Sequence, residues 1–295
     1  MTLSLIAQQF INGISLGSLY ALIAIGYTMV YGILRLINFA HGDVLMMGCY
    51  FALYVSLIFS LPWWISFPAA LFLTALLGVA IDRGAYLPVR KGPRISALIT
   101  AIGVSFLLEN LGLVIFGGRP KAFPRPAIFG QIFEWGEIRL LSLTFWIPGI
   151  TLALILVLLY IVYRTRTGRA MRAISRDMET VRLMGVDVNR ITSITFALGS
   201  ALAAAGGILW ALKYPQIEPY MGIIPGLKAF VAAVLGGIGN VVGAAIGGLL
   251  LGLIEILLVA FLPSLAGYKD ALAFLILIGI LLFRPTGILG EKLPE

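Results

Sequence analysis

The sequence predicts an all-α fold, a polytopic bundle of transmembrane helices, and three observations predict it. Of the 295 residues, 60% are hydrophobic and only 12% are charged, a balance that water-soluble cores do not reach. The apolar residues are gathered in runs close to the roughly 20 residues a membrane helix needs. Those runs are too long for barrel strands and lack their alternation, so helices remain as the way to pair every backbone N–H and C=O in lipid. The formal charge of +8 sits between the runs, where the positive-inside rule accounts for it without nucleic acid. The single Cys49 excludes a disulfide framework within the chain and a cysteine-based metal site.

Taken in order, the runs give a threading. No Lys or Arg precedes Arg35, which argues against a cleaved signal and makes residues 6–31 a first span entering from outside. Residues 44–61 cross outward to Pro62-Trp63-Trp64, aromatic residues suited to headgroup depth, and 65–81 return. Residues 82–94, with Arg83, Arg90, Lys91 and Arg94, form a basic internal loop. Residues 95–116 go out, 117–140 make a long proline-rich external loop, and 141–163 come back. The arginine-dense segment 164–190 then falls on the same side as the first basic loop. Residues 191–212 cross outward to a polar turn at 213–221.

The run 222–235 is about two-thirds of a perpendicular span, bounded by Pro225 and the break Gly236-Gly237-Ile238-Gly239-Asn240, so it reads as a short span or a re-entrant half-helix. Residues 241–262 and 265–283 are clear spans, ending at Arg284-Pro285. The total is eight or nine spans in one transmembrane domain, 1–295, and the basic tail with Lys292 favours an internal C-terminus.

Polar and small residues mark places of interest. Gly13/Gly17, Ala203/Gly207, Gly243/Gly247 and Gly248/Gly252 have the small-xxx-small spacing that lets helices approach closely in lipid. Clustered glycines at Gly236, Gly237 and Gly239, with Asn240, break a helix and free backbone groups, which are tolerated beside protein or a water-lined path. Asn38, His41 and Gly42, with Asp43, suit either a solvated turn or a structured re-entrant corner. Glu109 and Glu255 are acids within spans, functional candidates by position, for which a structural role is favoured. In 164–190, Ala170, Ile174, Met178 and Val181 fall on one helical face and Arg169, Arg172 and Arg176 on the opposite one, which gives a surface helix two neighbours. No GxxxxGK[ST] phosphate loop occurs, so the chain has no P-loop ATPase of its own.

The chain resembles the LivH-type permease of branched-chain amino-acid ABC importers. The resemblance lies in residues 17–32 (GSLYALIAIGYTMVYG), Asn38-Phe39-Ala40-His41-Gly42, Tyr86-Leu87-Pro88-Val89-Arg90, Gly168-Arg169-Ala170, Leu235-Gly236-Gly237-Ile238-Gly239 and Pro285-Thr286-Gly287-Ile288-Leu289-Gly290. It runs nearly end to end, and 117–140 is the least family-like stretch.

The resemblance implies a transport subunit rather than an enzyme, with no catalytic, cofactor or metal site, in a bacterial inner membrane. It further implies a second, LivM-like permease, two ABC ATPase subunits that bind the ATP, and a periplasmic branched-chain amino-acid-binding protein. On that reading 164–190 carries the ATPase-coupling helix, with Gly168, Arg169, Arg172, Ile174, Arg176, Met178, Glu179, Val181 and Gly185 as its residues. The spacing Glu179 to Gly185 follows the outline of the E-A-A-x-x-x-G signature, with Thr180 and Val181 in place of the alanines. The translocation path is expected near Asn38, His41, Gly42, Gly236, Gly237, Gly239 and Asn240. Arg119, Lys121 and Arg125 are the candidates for docking the binding protein. A related ABC permease for urea or short amides is the close alternative. An ion-coupled secondary transporter would need intramembrane charges, for which only Glu109 and Glu255 qualify.

Overall fold

The computed structural model describes residues 3–90 and 92–290; Lys91 and Lys292, assigned above to a basic loop and the tail, lie outside the described residues, as does the side chain of Arg94. Eight helices are long and apolar enough to cross a membrane, and Ile223–Gly236 is a shorter apolar helix. The order is α1 (Leu3–Leu34), α2 (His41–Phe59), α3 (Trp63–Ile81), α4 (Arg94–Phe116), α5 (Leu143–Arg164), α6 (Arg166–Arg176), α7 (Met178–Leu183), α8 (Val188–Lys213), α9 (Ile223–Gly236), α10 (Val241–Phe261) and α11 (Lys269–Phe283). A π-helical stretch, Asp82–Tyr86, and a last turn at Leu87–Val89 prolong α3. A helical turn at Ala127–Gly130 and a 3-10 stretch at Pro263–Tyr268 lie between the long helices, and two small antiparallel pairs complete the chain: β1 (Lys121–Ala122) with β4 (Gln216–Ile217), and β2 (Ile132–Trp135) with β3 (Ile138–Leu141).

The bundle is built around α1, which is buried along nearly its whole length and packs on α5, α8, α9 and α10. Small residues make this possible. A Cβ on Gly17 would stand 2.7 Å from the backbone of Leu249, and one on Gly248 or Gly252 would strike the α1 backbone at Ala21 or Gly17. Gly207 meets α2 at Leu45, and Gly243 and Gly247 meet α9. All four small-xxx-small pairs of the sequence include glycines at such contacts, the arrangement by which helices associate where lipid supplies no hydrophobic drive. Large apolar side chains of α4, α5 and α11, Phe106, Leu152 and Leu281 among them, stay exposed, as a lipid-facing rim does.

The element ends sort into two sets. At one end the start of α1 meets the β2–β3 hairpin, Ser4 Oγ donating to Glu137 at 2.7 Å and Gln8 Nε2 to the Arg139 carbonyl at 3.1 Å. The β1–β4 pair lies with the close of α8, since Arg125 Nε donates to the Leu212 carbonyl at 2.8 Å. At the other end Arg35 donates to the Ser175 carbonyl at 3.2 Å, and Gly32 faces Gly239. There the amides of Ile288 and Leu289 each donate at 2.9 Å, to Leu235 and Gly236.

These contacts settle the ambiguity over residues 222–235. The chain leaves the first end as β4, turns at Gly222 against Gly42, and reaches the opposite end through α9. Helix α9 is therefore the second half of a crossing whose first half is extended chain and turn. The described chain passes between its two ends nine times, eight of them in helices long and apolar enough to cross a membrane, and its last residues stand at the end that carries α6.

Candidate functional site

The arginine-dense segment folds as two short helices rather than one. Thr165 ends α5 and caps α6: its hydroxyl donates to the Ile161 carbonyl at 2.6 Å and accepts from the Gly168 amide at 3.1 Å. Gly168 is pressed against the carbonyls of Ile161 and Val162, a fit that no Cβ permits. Along α6, Gly168, Met171 and Ile174 are buried while Arg169, Arg172 and Arg176 are exposed. The Arg172 guanidinium lies over the Tyr163 ring, 5.1 Å from its centroid, a cation–π contact.

The expected single face of Ala170, Ile174, Met178 and Val181 needs correction. Asp177 leaves the helix in extended conformation, and its carboxylate accepts from the amides of Glu179 and Thr180, both at 3.0 Å. It thereby starts α7, an Asp N-cap. The break re-phases the helix, so Met171 takes the buried position, Ala170 and Met178 are half-buried, and Val181 is buried. A hydrogen bond from the Thr180 hydroxyl, with those amides, holds the Asp177 carboxyl below the usual range. Gly185 ends α7 at φ +81°. Between them Leu183 and Met184 are 89% and 78% exposed, an apolar tip flanked by exposed Glu179, Arg182 and Gly185.

Asn38 to Asp43 form a buried corner, not a solvated turn. The Tyr86 hydroxyl donates to Asn38 Oδ1 at 2.9 Å, the His41 ring lies 4.4 Å from that of Tyr27, and Ser105 donates to Asp43 at 2.5 Å. His41 also abuts Gly26, about 12 Å above the end of α1 at the rise of a helix. The corner is thus re-entrant, and α2 begins well inside the bundle. Gly42 lies against Gly222 and Gly226, so two interrupted crossings meet there.

The Gly236–Asn240 break sits elsewhere. Gly237 and Gly239 take φ of +108° and +99°, Asn240 Oδ1 caps α10 at the Gly243 amide, and Asn240 Nδ2 donates to the Leu289 carbonyl at 2.9 Å. The backbone groups freed by the break are taken up by the chain's own residues 285–290. Corner and break stand at opposite ends of α9, roughly 20 Å apart along the helix, so the structure does not bring the two together.

In the loop at the first end, Arg119 is exposed, Lys121 lies 5.9 Å from the Tyr54 ring centroid, and Arg125 bonds the carbonyls of Leu212 and Lys213. Arg125 is a clasp that closes the loop on α8, so of the three docking candidates it is the one whose guanidinium is engaged within the chain.

Residues 9–281 match the family described as branched-chain amino acid transport system / permease component. The permease protein BraD of a high-affinity branched-chain amino acid transport system of Pseudomonas aeruginosa is 43% identical, over 96% of this chain and 95% of its own. LivH of Escherichia coli shows the same identity and the same coverage. This chain belongs to the branched-chain amino-acid transport permease family. Its place is that of a transport component, not of an enzyme. A ribose import permease of Escherichia coli is 32% identical over 61% of this chain and 57% of its own. Among solved structures, PsaBC from Streptococcus pneumoniae in complex with Fab aligns with TM-score 0.49 at 15% identity, covering 96% of this chain and 92% of that one.

This branched-chain permease also contains a charged centre that the sequence reading missed. Lys228 of α9, 2% exposed, donates to Glu255 Oε1 at 2.8 Å and pairs with Asp270 at 2.5 Å; the Tyr20 hydroxyl donates to Glu255 Oε2 at 2.8 Å. Four helices converge there. The sequence carries a signal for it, a lysine inside the apolar run 222–235, although hydropathy by itself does not say which acids would face that lysine. A second cluster ties the π-helical stretch to α8: Arg90 donates to Asp82 at 2.6 Å and to Asn189 at 3.0 Å, and Ser193 donates to Asp82 at 2.7 Å.

Proposed function

We propose that the chain is one of two permease subunits of an ATP-driven importer of branched-chain amino acids in a bacterial inner membrane. A second, LivM-like permease supplies the other half of the path, two ABC ATPase subunits bind the ATP, and a periplasmic binding protein delivers the substrate. Family membership supports the transport reading. The observation that carries the coupling role is the Leu183–Met184 tip, two large apolar side chains almost fully exposed at the end of a capped, amphipathic helix pair. Exposed apolar side chains ringed by polar residues suit a cleft in another protein.

In this reading α6 and α7 are pushed when the ATPases close. Gly168, Arg169, Arg172, Ile174, Arg176, Met178, Glu179, Val181 and Gly185 fix or flank that surface. The push turns the spans against those of the partner permease and exposes the path to each side in turn. Asn38, His41 and Gly42 are placed near the path; Gly236, Gly237, Gly239 and Asn240 would act as the hinge of α9 at its cytoplasmic end. Arg119 and Lys121 remain the candidates for meeting the binding protein.

The experiment is uptake of labelled leucine in cells lacking their own importer, with ATPase subunits supplied or withheld, for the wild type and for Leu183→Asp/Met184→Asp. ATPase-dependent uptake that the double substitution abolishes, together with loss of ATPase co-purification, is the expected result. Uptake competed by urea rather than leucine, or persisting without ATPases and collapsing with the ion gradient, would overturn it.

A further inference from the structure

A groove of about 390 Å³ runs between α3 and α8, with Arg83, Arg190 and Ser193 at one end and Ala75, Ala197 and Ala201 along its wall. We propose that it holds a phospholipid of the leaflet on the α6 side, the anionic phosphate between the two arginines and an acyl chain along the alanines. The proposal rests only on the chain lying in a membrane and not on what it transports.

Two independent features meet in this groove. The first is charge. Arg83 and Arg190 are exposed, and neither forms an ion pair among the described residues. The acids nearby are engaged: Asp82 by Arg90 and Ser193, Asp187 by the amide of Arg190. Arg83 Nε reaches only Ser193 Oγ, at 3.4 Å, a long contact that leaves most of its donors free. The π-helical stretch Asp82–Tyr86 shifts the register of α3 there, so that Asp82 turns to Arg90 while the next residue faces the groove.

The second feature is the shape below the arginines. Ala75 lies about 12 Å along α3 from Arg83, and Ala201 about 16 Å along α8 from Arg190. That is the depth of one leaflet, half of a hydrocarbon core of about 30 Å. The small alanine side chains leave an apolar channel, and α3 packs on α2 and α8 at the rim of the bundle, where lipid has access. A free phosphate would use the arginines and leave the channel empty, whereas a lipid matches both. Basic pockets between helices on the internal side are where anionic headgroups bind.

The test is native mass spectrometry of the full-length chain purified with its co-expressed partner subunits. Phosphatidylglycerol is titrated against phosphatidylcholine, with and without excess inorganic phosphate. The wild type is expected to retain phosphatidylglycerol preferentially, and Arg83→Gln/Arg190→Gln to bind it about 30-fold more weakly, near a factor of five for each arginine at the membrane surface. Ala197→Leu, which fills the channel and keeps both charges, is expected to weaken binding too, and inorganic phosphate to leave it unchanged. Equal binding by wild type and both variants overturns the proposal. So does displacement by inorganic phosphate, which would mark a free-anion site, or a cross-link in membranes from Ala197→Cys to another subunit, which would show a helix in the groove.

Discussion

Lys228 shows how one residue can fix a set of helices. Its side chain and that of Glu255 are 3% and 7% exposed, so each charge depends on the other for what water would otherwise supply. Tyr20 takes the second oxygen of Glu255 and Asp270 the second face of Lys228. Replacing Lys228 by Met leaves the buried Glu255 carboxylate with the Tyr20 hydroxyl and the more distant Lys269 ammonium, 3.9 Å away, a loss of about 3 kcal/mol, the lower part of the range for a broken buried pair. The expected outcome is a marked fall in the thermal midpoint of the purified protein. Adding Glu255→Gln removes the orphaned charge while keeping an acceptor for Tyr20, so the double variant is expected to lose less than the two single losses combined. Additive losses in the thermal midpoint would sink the pairing. Nothing local in the sequence announces this contact, because Tyr20 and Glu255 are 235 positions apart.

At the scale of elements, the α1–α10 contact is set by absence of side chain. Gly17→Val would push a β-branched group into the Leu249 backbone, 2.7 Å from the first added carbon. Gly103→Val on α4 would meet nothing within 4 Å. The first is expected to destabilise by about 3 kcal/mol, the upper part of the range for overpacking, and the second to leave the melting curve near that of the wild type; similar curves would contradict the packing.

Helix α7 makes a second case. Because the Asp177 carboxyl is held low, its capping is complete above the ordinary aspartate range and is lost only as pH falls through the depressed folded value. At neutral pH, Asp177→Ala is therefore expected to speed hydrogen exchange at the Glu179 and Thr180 amides several-fold, with the long helices unchanged. Unaltered exchange at those amides would remove the cap from the account. The long helices were legible because run length and composition decide them. The Asp177 break was not, since an aspartate in a basic, helix-forming segment reads as an exposed helical position until its carboxylate is seen on the amides ahead of it.

For the whole molecule, the legible and the hidden divide by whether an interaction is local. Hydropathy gives the threading and the glycine spacings give close packing, but the half-depth meeting of two interrupted crossings depends on Gly42 and Gly222, residues 180 positions apart in sequence (222 − 42). There a Cβ on Gly42 would stand 2.5 Å from the Gly222 carbonyl oxygen, and backbone cannot yield as a flexible side chain does. Helix α9 hangs from this junction at one end and from the tail at the other, where Ile288 and Leu289 donate to Leu235 and Gly236. Between them it carries Lys228 to its partners. Gly42→Ala is accordingly expected to displace α9 as a unit, lowering both the thermal midpoint and leucine uptake. With the Lys228 pairing already removed by Lys228→Met, the same substitution should cost less, since part of what it disturbs is gone. Gly279→Ala on α11, open on all sides, is the comparison expected to change neither. If Gly42→Ala lowers stability equally with and without Lys228, then the corner and the charged centre act independently, and α9 does not link them.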